Sequence, residues 1–294
     1  MRLTFTVFAL SLALASTALA AKGPKAKAPA AKTKAPAAKA PESAPAEGSP
    51  AVAPPPAPAA DAPPALPSTA RVMERLNDLF RADSSEARLS MKIVTDRYRR
   101  DLVLESWTRG RKEALIVVRE PAREAGMATL RSEEGLWSYA PRADRLVRIP
   151  NTLLSDNWMG SHFTNDDLMR QTDFTRDYDA SLEWKHEGGK RLLQATLKPK
   201  PEAPVVWSRI VYLLEPRDYL PLRADYYDND KIARTLAFSD PREVSGRRVP
   251  FALEMTPADK PGESTRIEYR EVKFDVNVDP SLFTQRGLRR GARL

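Results

Sequence analysis

From residue 88 onward, apolar side chains recur at every second position. Leu89, Met91 and Ile93 alternate with Ser90 and Lys92, the pattern of a strand with one buried face. Similar runs follow at 102–109, 114–118, 127–132, 135–139 and 145–149, separated by short polar connections. Residues 141–144, Pro-Arg-Ala-Asp, read as a turn, and Gly188-Gly189 as a hairpin turn. After a break at 150–179 the alternation resumes near 182 and continues in short segments to about 276. The spacing predicts on the order of eleven strands, as in a β-sandwich or barrel, without the βαβ alternation of a parallel sheet. Ahead of them, Val72, Leu76, Leu79 and Phe80 recur at helical spacing. Residues 69–82 are therefore expected to form an amphipathic helix, with Ser68 or Thr69 as N-cap.

Two strands break the alternation by being apolar at successive positions. One contains Trp207, Ile210, Val211, Tyr212, Leu213 and Leu214; the other contains Leu146, Val147 and Ile149. A sheet with one wet face alternates more cleanly. Something must cover both faces: helices inside a curved sheet, a second sheet, or a lipid-like ligand.

The break at 150–179 is the chief covering material. Leu153, Leu154, Trp158, Met159, Phe163, Leu168, Met169 and Phe174 give it more apolar surface than a disordered segment carries. Long insertions between strands usually act as lids or binding loops. Within it, Thr164-Asn165-Asp166-Asp167 precedes Leu168-Met169. That order predicts a helix cap in which the Thr164 hydroxyl accepts from the Asp167 amide. The same two carboxylates could instead contact a partner or serve as acid and base.

Composition changes the picture at the N-terminus. Arg2, an apolar run over 3–15 and Ala18-Leu19-Ala20 read as a signal peptide cleaved after Ala20. The run is shorter than the roughly 20 residues a membrane span needs. Residues 21–69 are rich in Ala, Pro and Lys and lack aromatics, the composition of an extended tether. Residues 70–294 then form the folded domain. The tether takes part of the formal net charge of +8, leaving the domain at only about +4, too dispersed for a nucleic-acid footprint. The chain of 294 residues has no Cys, which removes disulfides and thiol chemistry.

Candidate chemistry is sparse. His162 and His186, the only two histidines, show no metal-ligand spacing. There is no Gly-x-Ser-x-Gly and no phosphate-cradling Gly-rich loop. No cofactor and no enzymatic role is expected, although a hydrolase triad is geometric and leaves no sequence pattern. Trp137, Tyr139, Trp158 and Trp207 fit either an apolar core or a ligand-lined surface. Arg142, Arg145 and Arg148 fit either a solvated strand face or an anionic head-group contact.

Two segments carry a resemblance. Leu136-Trp137-Ser138-Tyr139-Ala140-Pro141, continuing to Arg148-Ile149-Pro150, resembles a segment of the outer-membrane lipoprotein-sorting family. These are LolA-like proteins of the type associated with RND/MMPL exporters. Trp158-Met159-Gly160-Ser161-His162-Phe163-Thr164-Asn165-Asp166-Asp167-Leu168 is similar to a second family segment, with His162 where the family commonly has Asp. Val278 to Phe283 fits as well, and the resemblance covers about 85–285. It implies a curved, incompletely closed antiparallel β-barrel with an N-terminal helix and a helical lid on the concave face. It also implies a periplasmic carrier of an acylated lipoprotein or other lipid, with transient membrane-surface contact. On that reading Trp137, Tyr139, Leu153, Leu154, Trp158, Met159, Phe163, Leu168 and Trp207 line the ligand or form the lid. Arg142, Arg145, Arg148, Asp166 and Asp167 face a partner or head group. The alternative is a non-carrying adaptor of an inner-membrane transporter of RND/MMPL or ABC type.

Overall fold

Alternation dominates the architecture. The computed structural model describes residues 64–79, 82–169, 173–203 and 205–292. The expected signal peptide, most of the tether and Phe80 lie outside them. Helix α1 (Thr69–Asp78) comes first, capped by the Ser68 hydroxyl, which accepts from the Arg71 amide at 3.3 Å. It buries Val72, Met73 and Leu76.

Six strands follow: β1 (Ser84–Val94), β2 (Arg99–Arg109), β3 (Glu113–Glu120), β4 (Ala128–Ser132), β5 (Gly135–Ala140) and β6 (Arg145–Ile149). The insertion carries two short helices, α2 (Asn165–Met169) and α3 (Phe174–Asp177). Seven more strands complete the sheet: β7 (Tyr178–Glu187), β8 (Lys190–Pro199), β9 (Arg209–Leu214), β10 (Pro221–Asp228), β11 (Lys231–Val244), β12 (Arg247–Pro257) and β13 (Ser264–Phe274). Helix α4 (Gln285–Gly291) ends the described chain.

There are thus thirteen strands among the described residues, not about eleven. Connections as short as Asn229-Asp230 and Ser245-Gly246 hide strand boundaries. Asn229, Ser245 and Gly246 take the positive φ that such tight turns require. Trp207 lies just outside the strand predicted to hold it, because β9 begins at Arg209.

All thirteen strands form one antiparallel sheet in the order β6-β5-β4-β3-β2-β1-β13-β12-β11-β10-β9-β8-β7. Every neighbour is also a sequence neighbour except β1 and β13. The sheet is not closed into a barrel. Its two edges, β6 and β7, are the strands that the insertion connects.

The large apolar cluster joins Val72, Met73 and Leu76 of α1 to Trp158, Phe163, Leu168 and Phe174 of the insertion, against inward positions of the sheet. A second cluster lies on the opposite face of β3–β5. There Leu115, Val117, Ala128, Leu130 and Tyr139 are covered by Val278, Phe283, Leu288 and Ala292. On β6 the double apolarity has these two causes, Ile149 packing with the concave cluster and Leu146 with the convex one, whereas on β9 Ile210, Tyr212 and Leu214 join the concave cluster. Gly287 allows the convex cover to pack: a Cβ there would sit 1.9 Å from the Ser281 carbonyl oxygen.

Candidate functional site

The insertion is built from local rules and then bolted to the sheet. Trp158 and Phe163 close a tight loop, the Trp158 amide donating to the Phe163 carbonyl at 2.7 Å. Met159 and Gly160 both hold positive φ, 52° and 72°. A Cβ on Gly160 would lie 2.7 Å from the Tyr98 hydroxyl, which donates to the Gly160 carbonyl. Arg100 donates to the Met159 carbonyl at 2.6 Å and pairs with Glu124. Tyr98, beside the β1–β2 turn, and Arg100 on β2 therefore hold this loop.

His162 ties the next residues to β13. Its amide donates to the Thr265 hydroxyl at 2.9 Å, and its ring nitrogens contact Thr265 at 2.8 Å and Glu263 at 2.9 Å. The hydrogen bond from His162, reinforced by one from the Asp96 amide, holds the Glu263 carboxyl below the usual carboxylate range.

Helix α2 begins with the expected cap and adds its reciprocal bond. The Asp167 amide donates to the Thr164 hydroxyl at 3.2 Å, and the Thr164 amide donates to Asp167 at 2.8 Å. Asp167 also receives both arms of Arg234 from β11, each at 3.0 Å. The guanidinium lies over the rings of Trp207 and Tyr226 at 4.8 and 5.0 Å. Asp166 and Asp167 are 2% and 1% exposed. That burial leaves neither carboxylate at the surface in this arrangement.

Beneath the insertion a cavity of about 100 Å³ remains. Its walls are inward positions of β1–β5, β12 and β13, such as Leu89, Leu104, Ile116, Phe251 and Tyr269, and its roof includes Trp158 and Leu168. Trp158 is oriented by its indole N–H, which donates to Thr129 at 3.0 Å. Burial pushes the Tyr269 hydroxyl up to about 12. Arg131 on β4 also lines this cavity and is only 3% exposed. It donates to the carbonyls of Lys112 at 3.3 Å, Leu168 at 3.1 Å and Arg111. Burial brings its pKa down to about 9, so it stays charged at neutral pH.

Of the nine residues expected to line ligand or lid, Trp158 and Leu168 face this cavity. Phe163 and Trp207 sit in the same apolar cluster but away from it, and Met159 packs at its margin. Leu154 is half-buried and Leu153 is exposed. Trp137 and Tyr139 belong to the convex cluster, where Tyr139 donates to Asp144 at 2.8 Å. They neighbour Leu136, which faces the cavity, so strand parity turns them outward. Arg142, Arg145 and Arg148 are exposed. Arg145 and Arg148 are three apart on β6 and so point to opposite faces of the sheet, which prevents one continuous head-group row. Sequence reasoning missed Arg131 and the inward strand positions. Alternation marked the latter as one face but not as the concave one. Among the described residues, no group of three His, Cys, Asp or Glu side chains is gathered to hold a metal ion.

An open antiparallel half-barrel with an apolar concavity, roofed by the insertion between its own edge strands, is the LolA-like fold. A family model described as "Uncharacterized protein" matches residues 110–290, and this chain belongs to that family. No curated protein sequence matches the chain. The fold is similar to that of a DUF1329 family protein from Desulfovibrio piger, with a TM-score of 0.65 and 22% identity over 74% of this chain and 96% of that one. It is similar to a candidate outer membrane lipoprotein-sorting protein domain from Vibrio parahaemolyticus, with a TM-score of 0.64 and 19% identity over 75% and 97% of the two chains. A LolA superfamily protein from Nitrosomonas europaea gives 0.62 and 19% over 76% and 100%.

Proposed function

We propose that the protein is a periplasmic carrier that shelters an apolar chain of a lipid or lipoprotein in its concavity while the insertion is displaced. The observation that carries this reading is the apolar cavity beneath Trp158 and Leu168. Binding pockets for drug-sized ligands run to about 300–1,000 Å³, so 100 Å³ represents a closed state. Removing Trp158, Phe163 and Leu168 from the core costs about 2–3 kcal/mol each. That is matched by burying roughly eight to eleven methylenes at about 0.8 kcal/mol each. One acyl chain of ordinary membrane length therefore suffices to exchange with the roof, and the near-balance suits loading followed by release. The fold shared with the lipoprotein-sorting domain supports the reading, and an inner-membrane transporter would be the donor or acceptor.

The absence of native Cys gives a clean test. The double substitution His162→Cys and Thr265→Cys places thiols where the side chains now touch. Oxidation should block uptake of a fluorescent fatty acid, and reduction should restore it. Native mass spectrometry of protein purified from its host should show bound lipid. Equal uptake in oxidised and reduced forms, with no co-purifying lipid, would remove the carrier reading.

A further inference from the structure

We propose that edge strand β6 is a docking site for an extended acidic segment of a partner protein, which adds to the sheet as a further strand with one carboxylate at Arg145 and another at Arg148. The inference does not depend on the carrier reading. Strand β6 ends the sheet, with β5 on one side and no strand on the other. Every second residue of such an edge turns its N–H and C=O away from the sheet, where an incoming backbone can pair with them. Neither a bulge nor a proline blunts this edge. The β5–β6 register runs unbroken from Leu136 opposite Ile149 to Ala140 opposite Arg145. Between the two arginines, Leu146 and Val147 are half-buried and give an added strand an apolar centre to pack beside.

Charge selects the occupant. Arg145 and Arg148 are exposed, and β6 itself holds no acid. The acids beside them are already engaged. Asp144 accepts from Tyr139 at 2.8 Å and faces Arg289 at 3.8 Å, and Glu134 accepts from Gln285 at 3.5 Å. The two guanidinium groups belong to opposite faces. Arg148 lies across from Trp137 of the convex cluster, and Arg145 from Ala140, which shares its parity with the cavity-facing Leu136. A membrane laid against either face of the sheet meets one of them. An added strand presents side chains to both faces, and carboxylates three residues apart fall on opposite faces in the same way. In an antiparallel addition, acid-x-x-acid lies across from Arg148, Val147, Leu146 and Arg145, with apolar residues suited to the two central positions. A second copy of this chain does not supply that strand. Its β6 brings two more cations, and its β7 carries Asp179, Glu183 and Glu187 at intervals of four, all on one face.

The test uses the full chain and two fluorescein-labelled peptides of equal composition, Thr-Thr-Glu-Val-Val-Glu-Thr-Thr and Thr-Thr-Glu-Val-Glu-Val-Thr-Thr, read by fluorescence anisotropy. Only the first puts its carboxylates on opposite faces. It is expected to bind about three- to fivefold tighter than its isomer, the scale of one cross-strand charge pair, and to slow amide exchange at 145–149. The double variant Arg145→Gln with Arg148→Gln, two surface changes, should weaken both peptides and remove the preference. The first peptide N-methylated at both valines cannot complete the ladder and should not bind, an arm that leaves the protein untouched. Equal binding of the isomers, undiminished binding after N-methylation, or a preference that survives the double variant overturns the inference. Protection of 145–149 by phosphatidylglycerol vesicles and by neither peptide also overturns it, as does protection that rises with protein concentration alone; these assign the edge to a membrane or to a second copy. None of these results alters lipid uptake beneath the insertion, which tests the carrier reading separately.

Discussion

Asp167→Asn isolates the bolt that holds the insertion to the sheet. The substitution keeps an oxygen for the Thr164 amide, so the cap survives, and removes only the charge. What remains is the Arg234 guanidinium, 6% exposed in its side chain, with its carboxylate partner gone. Removing one member of a buried, bidentate pair costs about 3–5 kcal/mol, because the other charge is left uncompensated in a poor solvent. For a domain of this size each kcal/mol lowers Tm by about 2–4 °C, giving a fall on the order of 10 °C. Urea unfolding followed by circular dichroism and tryptophan fluorescence measures the loss, and an unchanged m-value shows that the same folded state is being unfolded. The double variant Asp167→Asn with Arg234→Met should regain most of the stability, since it removes both desolvated charges and keeps the cap, and Arg234→Met alone completes the cycle. The cycle should then report a coupling of at least about 2 kcal/mol. Single losses below about 1 kcal/mol, or strictly additive ones, would falsify the claim that this pair holds α2 in place.

Gly160→Ala should destabilise by about 1–3 kcal/mol, because it combines a left-handed backbone with a Cβ pressed against the Tyr98 hydroxyl; Tyr98→Phe should restore part of the loss, and chemical denaturation reads both. The Glu263 carboxyl has a depressed pKa in the folded protein, so its contribution is present above the ordinary glutamate value of about 4.3 and is lost as pH falls through the folded value. Amide exchange at 161–163 should therefore quicken in the wild type only below about pH 4, and an identical pH profile in Glu263→Gln would refute this. Gly287→Ala should cost about 1–3 kcal/mol through overpacking against Ser281 and Leu282, and should increase binding of a hydrophobic dye as the convex cluster opens. Trp158→Phe should leave the Thr129 hydroxyl without its indole donor and speed lipid-probe uptake in stopped-flow fluorescence.

What was legible in the chain was what is local. Alternation marked the strands because each reports its own burial, and the Thr164–Asp167 cap lies within one turn. Pairings across the fold left no trace: nothing in the spacing brings Arg234 to Asp167, 67 positions away, or His162 to Glu263. The aromatic residues of β5 show the limit sharply. Parity placed Trp137 and Tyr139 together on one face, but which face was concave depended on where the 278–292 segment would lie. Of that segment only Val278 to Phe283 read as a motif match, and the segment turned out to be the convex cover. Arg131 went unnoticed because a lone Arg in a strand has the look of a solvated face. Only the turn at Arg111-Lys112 and the end of α2 make it an interior group.

The pairing of β1 with β13 carries a consequence for how the chain reaches this state. Strands β1–β6 form one meander and β7–β13 another, each made of contacts between sequence neighbours. Such hairpins can form as soon as their residues are available. The joint between the two halves is of another kind, linking residues 170 to 189 positions apart, from Val94 with Ser264 to Ser85 with Phe274. Ordering so long a loop delays its closure. The concavity, whose walls come from both halves, is therefore completed last. Until then β1 offers an unpaired apolar edge, the place where another chain would add itself. Refolding yield should fall with protein concentration, and a substitution that weakens the β1–β13 ladder should slow folding more than one of equal cost within either meander.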